Sequence, residues 1–571
     1  MRNKLSYFIL FLLLALPLIT TQIQVFSIGT FYIVQEGKNN QIVRDWSSIS
    51  LIYPDKYHTP NQLIEELLQM NNTAPEIIDL YSIGKSIEGR DIFCLRATNE
   101  QNVIPKAGVL FVAHHHAREQ ITIEMILRFM LILVNNYRIN EDITEYIDNL
   151  DIYFIPTLNP DGLYYSLGND FVQGNPWFRK NLRDFDDDKD GRFNEDPPED
   201  TNGDGLISEF EVVNKITDKI VDVYLEGIDN DGDSRINEDP LGGVDLNRNY
   251  NYRWNDPACQ SGSSDKTTSA DYPGTDAFSE PETRAYQNFV EDKRFATAIS
   301  LHSGINATYF PWASEGYWTE GPLYNKIRSD LYTILPNGYI TEQEASLATY
   351  TTCAGEWGDF MYAKRDCLVP MTFEIYHNVS SESEYQFVSS NDTHEIWRWD
   401  GIFGYFNPEE AAIHAVWEDI QGIFIYWLCL NPRLKPSVKS ITGGTNLSDS
   451  LEIKLSIESL SPYIGSIDEL KVLKTDFSFI EDKGSPVTIP AIPAGKVVER
   501  SFEFKLEEEL SIGTNLTLFI GNDYVGFSSI VIEANEIKAA QNVSISFFSS
   551  LLAILAVTMQ KYFKSKRNTF Y

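Results

Sequence analysis

Apolar positions change their period several times along the chain, and each change predicts an element. Asn61 to Met70 carries apolar residues at helical spacing, while Ile77 to Ile83 and Asp91 to Ala97 alternate, so a helix and two strands are expected. Gly108 to Ala113 is a short continuous apolar run, the pattern of a buried strand. Glu119 to Tyr137 then reads as a long apolar helix and Leu150 to Pro156 as another strand. Further strands are predicted at Ala296 to His302 and Leu368 to Ile375, with helices at Pro281 to Asp292 and Pro408 to Leu428. Strands alternating with helices imply an α/β sheet covered on both faces. Beyond Pro432 the texture changes: Ser437 to Ile532 alternates in short runs separated by Gly, Pro, Asn and Ser, which predicts a small all-β sandwich over 435–535.

Both ends carry apolar runs with basic flanks. Met1-Arg2-Asn3-Lys4 followed by Tyr7 to Ile19 reads as a signal peptide or N-terminal anchor over 1–29, with a short segment at 30–56 after it. At the other end, Val543 to Met559 precedes Lys561, Lys564, Lys566 and Arg567. That pattern predicts a transmembrane helix over 543–560 with a basic cytoplasmic tail at 561–571, and so an exported protein on the extracellular face of the membrane, held by a single-pass anchor.

Of 571 residues, 43% are hydrophobic and 13% aromatic, a globular composition long enough for two or three domains. The net charge of -36 argues against a nucleic-acid partner. Asp184 to Asp239 holds 20 acidic and 5 basic side chains, -15 of that total. Its internal order decides between a solvated loop and a cation site. Asp186, Asp188 and Asp190 recur in the same register as Asp229, Asp231 and Asp233. Between them Asp200-x-Asn202-x-Asp204-Gly205 with Glu211 at position 12 fits the calcium-loop pattern, so structural Ca²⁺ is expected in the insertion 184–240. The five cysteines have no metal-type spacing; the simplest reading is a set of small buried side chains, with a Cys353 to Cys367 bridge as a further option.

A catalytic zinc takes three nitrogen or oxygen ligands and keeps a fourth position open. Ala113-His114-His115-His116-Ala117-Arg118-Glu119 follows the buried strand and opens a helix, which lets His116 and Glu119, three apart, converge on one ion. That spacing is common by itself. Its surroundings make it specific: His116-Ala117-Arg118-Glu119 resembles the zinc signature of the pancreatic-type metallocarboxypeptidases, and seven landmarks stand around it in the family's order between Tyr57 and Leu430. They are Tyr81 to Arg90, Asn159-Pro160-Asp161-Gly162, Trp177 to Asn181, Gly243 to Asn249, Ser279-Glu280-Pro281-Glu282, Leu301-His302-Ser303 and Thr372-Phe373-Glu374.

The resemblance implies a catalytic domain over 57–430 with a mixed, eight-stranded-type sheet and helices on both faces. It implies one Zn²⁺ held by His116, Glu119 and His302, Glu374 as general base and Arg179 as oxyanion stabiliser. Asn247 and Arg248, supported by Arg118, match the residues that recognise a peptide's terminal carboxylate. Tyr350 is the counterpart of the family's mobile tyrosine, although it stands one residue farther from Gly355 than the pattern has it. Glu356 then falls in the loop that shapes the pocket for the terminal side chain and suggests acceptance of Lys or Arg, with Trp357 as a competing filler. The implied activity is removal of residues from peptide and protein C-termini. A catalytically weak peptide-binding surface protein, or a zinc amidase acting on cell-wall or modified peptides, are the alternatives. The short N-terminal segment and the following β-domain place the chain nearer the family's processing-type branch.

Overall fold

The computed structural model describes residues 49–533 except for 103–105, 170–171, 187–190, 195, 231, 233–235, 238–241, 316–321, 344–351, 379, 381–384, 432, 444–449, 461–469, 475–479, 483–486, 490–495, 507–514 and 523–525. Eight strands build the main sheet: β1 (Ile78–Lys85), β2 (Asp91–Ala97), β3 (Ala107–Ala113), β4 (Leu150–Ile155), β5 (Phe295–His302), β6 (Ile305–Phe310), β7 (Ile340–Gln343) and β8 (Val369–Tyr376). Their spatial order is β1-β2-β4-β3-β5-β8-β6-β7. The central four are mutually parallel, while β1, β2 and β6 run antiparallel to neighbours, which makes the sheet mixed.

Every residue of β3 and β5 is buried, as the unbroken apolar runs require. Alternate residues of β3 feed two separate cores. Val109 and Phe111 pack with the helices Ile121–Asn136 and Ile413–Leu430, whereas Leu110 and Val112 pack with Pro281–Glu291 and Trp357–Arg365. The sheet is therefore covered on both faces. The helix Pro60–Thr73 starts with a capping box between Thr59 and Gln62 and has Pro60 at its first position, where proline's missing N–H costs nothing.

The acidic insertion is more than a loop. Its segments Glu209–Asn214 and Lys219–Leu225 form a hairpin that continues through His394–Trp399 to Gln386–Ser390, a four-stranded antiparallel sheet. Glu211, expected as a loop-closing ligand, stands on a strand opposite Trp397 and Val223. After the helix Ile413–Leu430 come two further four-stranded antiparallel sheets, the first led by Leu434–Gly443 and Ser450–Ser459 and the second by Asn515–Asn522 and Gly526–Glu533. The all-β texture read beyond Pro432 thus has its counterpart. All five cysteines are free and four of them are buried, as small core side chains are, and the optional Cys353 to Cys367 bridge is not formed.

One expectation is withdrawn. Among the described residues no helix is long and apolar enough to cross a membrane, which overturns the single-pass anchor and the localisation built on it. The long apolar helices of the chain, Ile121–Asn136 and Ile413–Leu430, bury their side chains in the protein's own core. The segments 1–29 and 543–571, on which the export and anchor readings rested, lie outside the described residues, as does most of 30–56.

Candidate active site

The sheet brings the candidate metal ligands together from distant parts of the sequence. β3 and β5 are parallel and in register to Ala113 and Leu301, so the turn leaving β3 lies beside His302 at the end of β5. His114 opens that turn in the left-handed region at φ 59°. Glu119 N–H donates to the His116 carbonyl at 3.2 Å. The helix itself begins at Ile121, which puts Glu119 in the turn and not on the predicted helix.

His116, Glu119 and His302 are buried, and their ligating atoms all lie within 4.8 Å of one another. Glu119 Oε1 is 2.7 Å from His116 Nδ1, its Oε2 is 3.1 Å from His302 Nδ1, and the two Nδ1 atoms are 3.2 Å apart. Ligands at zinc's bond lengths around a tetrahedral centre stand about 3.3 Å from each other. The three donors thus already have nearly the separations of a zinc shell. Two imidazole nitrogens facing each other across a buried carboxylate is a donor set that suits a cation, and among the described residues it is the one such group.

Outer partners orient the ligands. His116 Nε2 lies 3.1 Å from Asp245 Oδ1 and His302 Nε2 lies 3.0 Å from Ser300 Oγ. Asp245 is fully buried and also accepts from Arg179 Nη2 at 2.9 Å, from Arg179 Nε at 3.2 Å and from Asn247 N–H at 2.9 Å. Burial would raise its carboxyl, but the charges of Arg179 and His116 hold it well below the usual carboxylate range. One carboxylate thereby ties a metal-ligand candidate, the oxyanion candidate and Asn247 of the candidate carboxylate-recognition pair. Sequence reasoning passed over Asp245, although it stands inside the Gly243 to Asn249 landmark, two residues before Asn247.

Glu374 on β8 is the register partner of His302 on β5, so their side chains leave the same face of neighbouring strands. Its Oε2 is buried with no hydrogen-bond partner. Burial first and the Glu119 charge second raise its carboxyl well above the usual value, against the pull of Arg179 and Arg248. A poised carboxyl beside a metal-ligand set is the arrangement that general-base chemistry needs.

The cationic residues converge nearby. Arg179 Nη1 is 3.9 Å from Glu119 Oε1. Arg118 lies over the Phe406 ring at 4.3 Å, and burial together with the Arg179 charge lowers its pKa to about 10. Arg248 is buried, with Nε donating to Ser261 Oγ at 3.2 Å and Nη1 to the Asn247 carbonyl at 2.9 Å. Asn247 Oδ1 accepts from Trp357 N–H at 3.0 Å.

Glu356 is buried at the start of the helix Trp357–Arg365, where its Oε2 accepts from Asp359 N–H and its Oε1 from the Thr372 hydroxyl. Burial, with Asp359 beside it, pushes its carboxyl up to about 7. Trp357 is buried too, and its indole N–H donates to Tyr286 Oη at 2.6 Å. Tyr350 lies outside the described residues.

In the acidic insertion, Asp188, Asp190, Asp231 and Asp233 likewise lie outside the described residues. In the middle loop Asp200 accepts from Gly203, Asp204 and Gly205 N–H, Asn202 from Asp204 N–H, and Asp204 from Leu206 N–H and Arg398. Asp186 accepts from Gly191 N–H and Asp229 from Gly232 N–H. These side chains shape their own turns.

Comparison with known proteins places the chain in a family. The family profile described as "Zinc carboxypeptidase" matches residues 63–419, which span the main sheet and all the candidate site residues. A zinc carboxypeptidase of Saccharothrix mutabilis subsp. capreolus is 36% identical over 112 residues, 19% of this chain and 26% of that protein. Carboxypeptidase O of Bos taurus is 23% identical over 426 residues, 71% of this chain and 89% of that protein. Among solved structures, the carboxypeptidase A of Helicoverpa armigera aligns with a TM-score of 0.44 and 19% identity, covering 67% of this chain and 75% of that one. Membership supports a peptidase, and a family profile matching more than half of the sequence states it plainly: the chain belongs to the zinc carboxypeptidase family.

Proposed function

We propose that the protein is a zinc-dependent metallocarboxypeptidase that hydrolyses the C-terminal peptide bond of peptides and proteins. The observation that carries this reading is the convergence of His116, Glu119 and His302 beside the unpartnered Oε2 of Glu374 at the ends of β5 and β8. Bound there, zinc supplies a Lewis acid that polarises the scissile carbonyl and acidifies a water. Every other step falls to the chain's own side chains.

Glu374 accepts the proton of the attacking water at its carboxylate and later hands it to the leaving amine. Burial and the Glu119 charge raise its affinity for that proton, while Arg179 and Arg248 favour the carboxylate that must be present to accept it. Arg179, held by Asp245, offers its guanidinium to the oxygen on which negative charge develops. Arg248 and Asn247, with Arg118 behind them, grip the terminal carboxylate and so restrict the enzyme to chain ends.

Acceptance of C-terminal Lys or Arg rests on Glu356, whose carboxylate must then serve a substrate cation as well as the helix it caps. Comparing kcat/KM for peptides ending in Arg, Lys, Phe and Leu in wild type and Glu356→Gln tests this. A falling basic-to-apolar ratio supports it, and an unchanged ratio removes Glu356 from specificity. Structural Ca²⁺ at Asp200, Asn202, Asp204 and Glu211 is proposed from the spacing, with the left-handed Gly203 and Gly205 giving the sharp turns such a loop needs.

The activity is tested by mass spectrometry of peptides incubated with the purified protein. Ladders that shorten from the C-terminus, stop with a zinc chelator and resume on zinc addition support the proposal. Internal cleavage, or ladders indifferent to chelation, contradict it.

A further inference from the structure

Three consecutive histidines leave β3, and the proposed chemistry uses only His116. His114 is occupied by the turn: its Nε2 lies 3.0 Å from the Ala117 carbonyl and its Nδ1 lies 3.0 Å from Thr157 Oγ1. A carbonyl only accepts, so Nε2 carries the proton and Nδ1 accepts from the threonine hydroxyl.

His115 does something else. It is fully buried and lies parallel to His302, with ring centroids 5.3 Å apart and planes 21° apart. The two rings are joined through Ser300, whose Oγ lies 3.0 Å from His302 Nε2 and 3.1 Å from His115 Nδ1. Ser300 reaches both because it shares β5 with His302 two residues later, on the same face, and because it pairs in register with Val112 on β3, three residues before His115. Beyond His115 the chain of contacts continues, since its Nε2 lies 2.8 Å from Tyr250 Oη, and Tyr250 is stacked on Phe360 at 5.2 Å. All four groups are buried.

The direction of this chain follows from counting hydrogens. If His302 turns the lone pair of Nδ1 to a metal, its proton is on Nε2 and is donated to Ser300 Oγ. Ser300 has one hydrogen, which it gives to His115 Nδ1. His115 then carries its own proton on Nε2 and donates it to Tyr250 Oη. In this arrangement every hydrogen falls within the chain, whereas the alternative, with Ser300 Oγ accepting from both imidazoles and Tyr250 donating to His115 Nε2, leaves the serine hydrogen outside it.

We propose that Ser300 and His115 are positioning residues for His302, a relay that holds it in the tautomer and ring orientation able to ligate through Nδ1. This rests on the reading of His302 as a metal ligand. A hydrogen bond to the far nitrogen of a ligating histidine raises its basicity and fixes its plane, and removing such a partner costs about 10- to 100-fold in metal affinity. The relay also links the metal-ligand set to the Asp245 to Tyr250 segment, because Tyr250 follows the carboxylate-recognition pair by two residues.

The test is the zinc dissociation constant, measured by competition with a chelator, for wild type, Ser300→Ala, Ser300→Thr, His115→Leu and Tyr250→Phe. Ser300→Ala and His115→Leu are expected to bind zinc about 10- to 100-fold more weakly. Ser300→Thr, which keeps the hydroxyl, is expected near wild type, and Tyr250→Phe to show the smallest loss. Affinities within about twofold of wild type in folded Ser300→Ala and His115→Leu would overturn the relay by the same yardstick. Nitrogen NMR of zinc-loaded wild type reads the His115 tautomer directly and decides the matter even where a variant does not fold: a proton on Nε2 supports the relay, and one on Nδ1 contradicts it. A wild-type protein that binds no zinc refutes the proposed function itself, and the relay falls with it.

Discussion

The cluster at the ends of β5 and β8 and the acidic insertion are both rich in carboxylates, yet they are built in opposite ways. In the cluster, side chains from positions 116, 119, 245, 302 and 374 meet only because the sheet is folded, and each leans on a group far away in sequence. In the insertion, Asp200, Asn202 and Asp204 accept hydrogen bonds from backbone N–H groups no more than five residues on, with Arg398 added at Asp204. Long-range convergence yields buried carboxyls with strongly displaced acidity, such as Asp245 and Glu374. Local convergence leaves the middle-loop oxygens on exposed or half-buried residues. The contrast teaches that donor count along a sequence says little about a site, and that burial with distant partners says more.

The largest expected effect strikes the buried cluster. Glu374→Gln keeps the shape of the side chain and removes its ability to take a proton, so kcat is expected to fall by about 10²- to 10⁴-fold with zinc content unchanged. Steady-state kinetics with metal analysis on the same sample checks it. A variant as active as wild type would leave Glu374 a mere filler of the strand end.

Next comes a buried polar group away from the cluster. His58 is buried between Glu124, at 2.9 Å, and Glu66, at 3.2 Å, and meets the Tyr53 ring edge to face with centroids 5.9 Å apart. Burial lowers its pKa, but the hydrogen bonds and charges of Glu124 and Glu66 outweigh burial and raise it to about 9. The folded state therefore holds the proton more tightly than the unfolded chain. The resulting stability is complete below the unfolded value near 6.5 and is lost as pH rises through about 9, a change of roughly 3 kcal/mol. Thermal melts of wild type and His58→Gln between pH 6 and 9.5 should converge at the alkaline end. A constant difference would mean that His58 does not titrate in this way.

A smaller effect is expected at the recognition pair. Arg248→Gln should lose about 1.5 to 3 kcal/mol of charge-assisted binding, roughly 10- to 100-fold in kcat/KM for peptides with a free carboxylate. Peptides amidated at the C-terminus should show little change. Equal losses on both would move Arg248 from recognition to structure.

The last effect expected is from calcium in the insertion. Binding to the folded state alone stabilises by about 2.7 kcal/mol at a hundredfold excess over Kd, so melts with calcium should lie a few degrees above melts with a calcium-selective chelator. Identical melts would leave the Asp200 to Glu211 loop held by its own backbone contacts and sharpen the contrast between the two regions.

Which parts were legible in the sequence follows the same contrast. β2 is bounded as its alternation predicted, and β3, β5 and β8 lie within a residue of their apolar runs, because buried parallel strands need continuous hydrophobicity. β6 and β7 went unpredicted: β6 mixes Asn306 and Thr308 into a short run, and β7 is only Ile340–Gln343 at the sheet edge, where burial leaves little periodic trace. The insertion's hairpin was hidden by its charge, since Glu209 and Glu211 alternate with Phe210 and Val212 on a strand whose pairing comes from residues 394–399. His116, Glu119, His302 and Glu374 were named from motifs, but their separations depend on β3, β5 and β8 lying in register. Asp245 and Ser300 had no signal of their own, because a positioning role exists only in three dimensions.

The measurement that bears most directly on the central claim is zinc stoichiometry in purified wild type and His302→Ala, paired with C-terminal peptide laddering by both. The account predicts one tightly held zinc and C-terminal trimming in the wild type, with both lost in the variant while its fold is kept. Equal zinc content and equal trimming in the two proteins would contradict it.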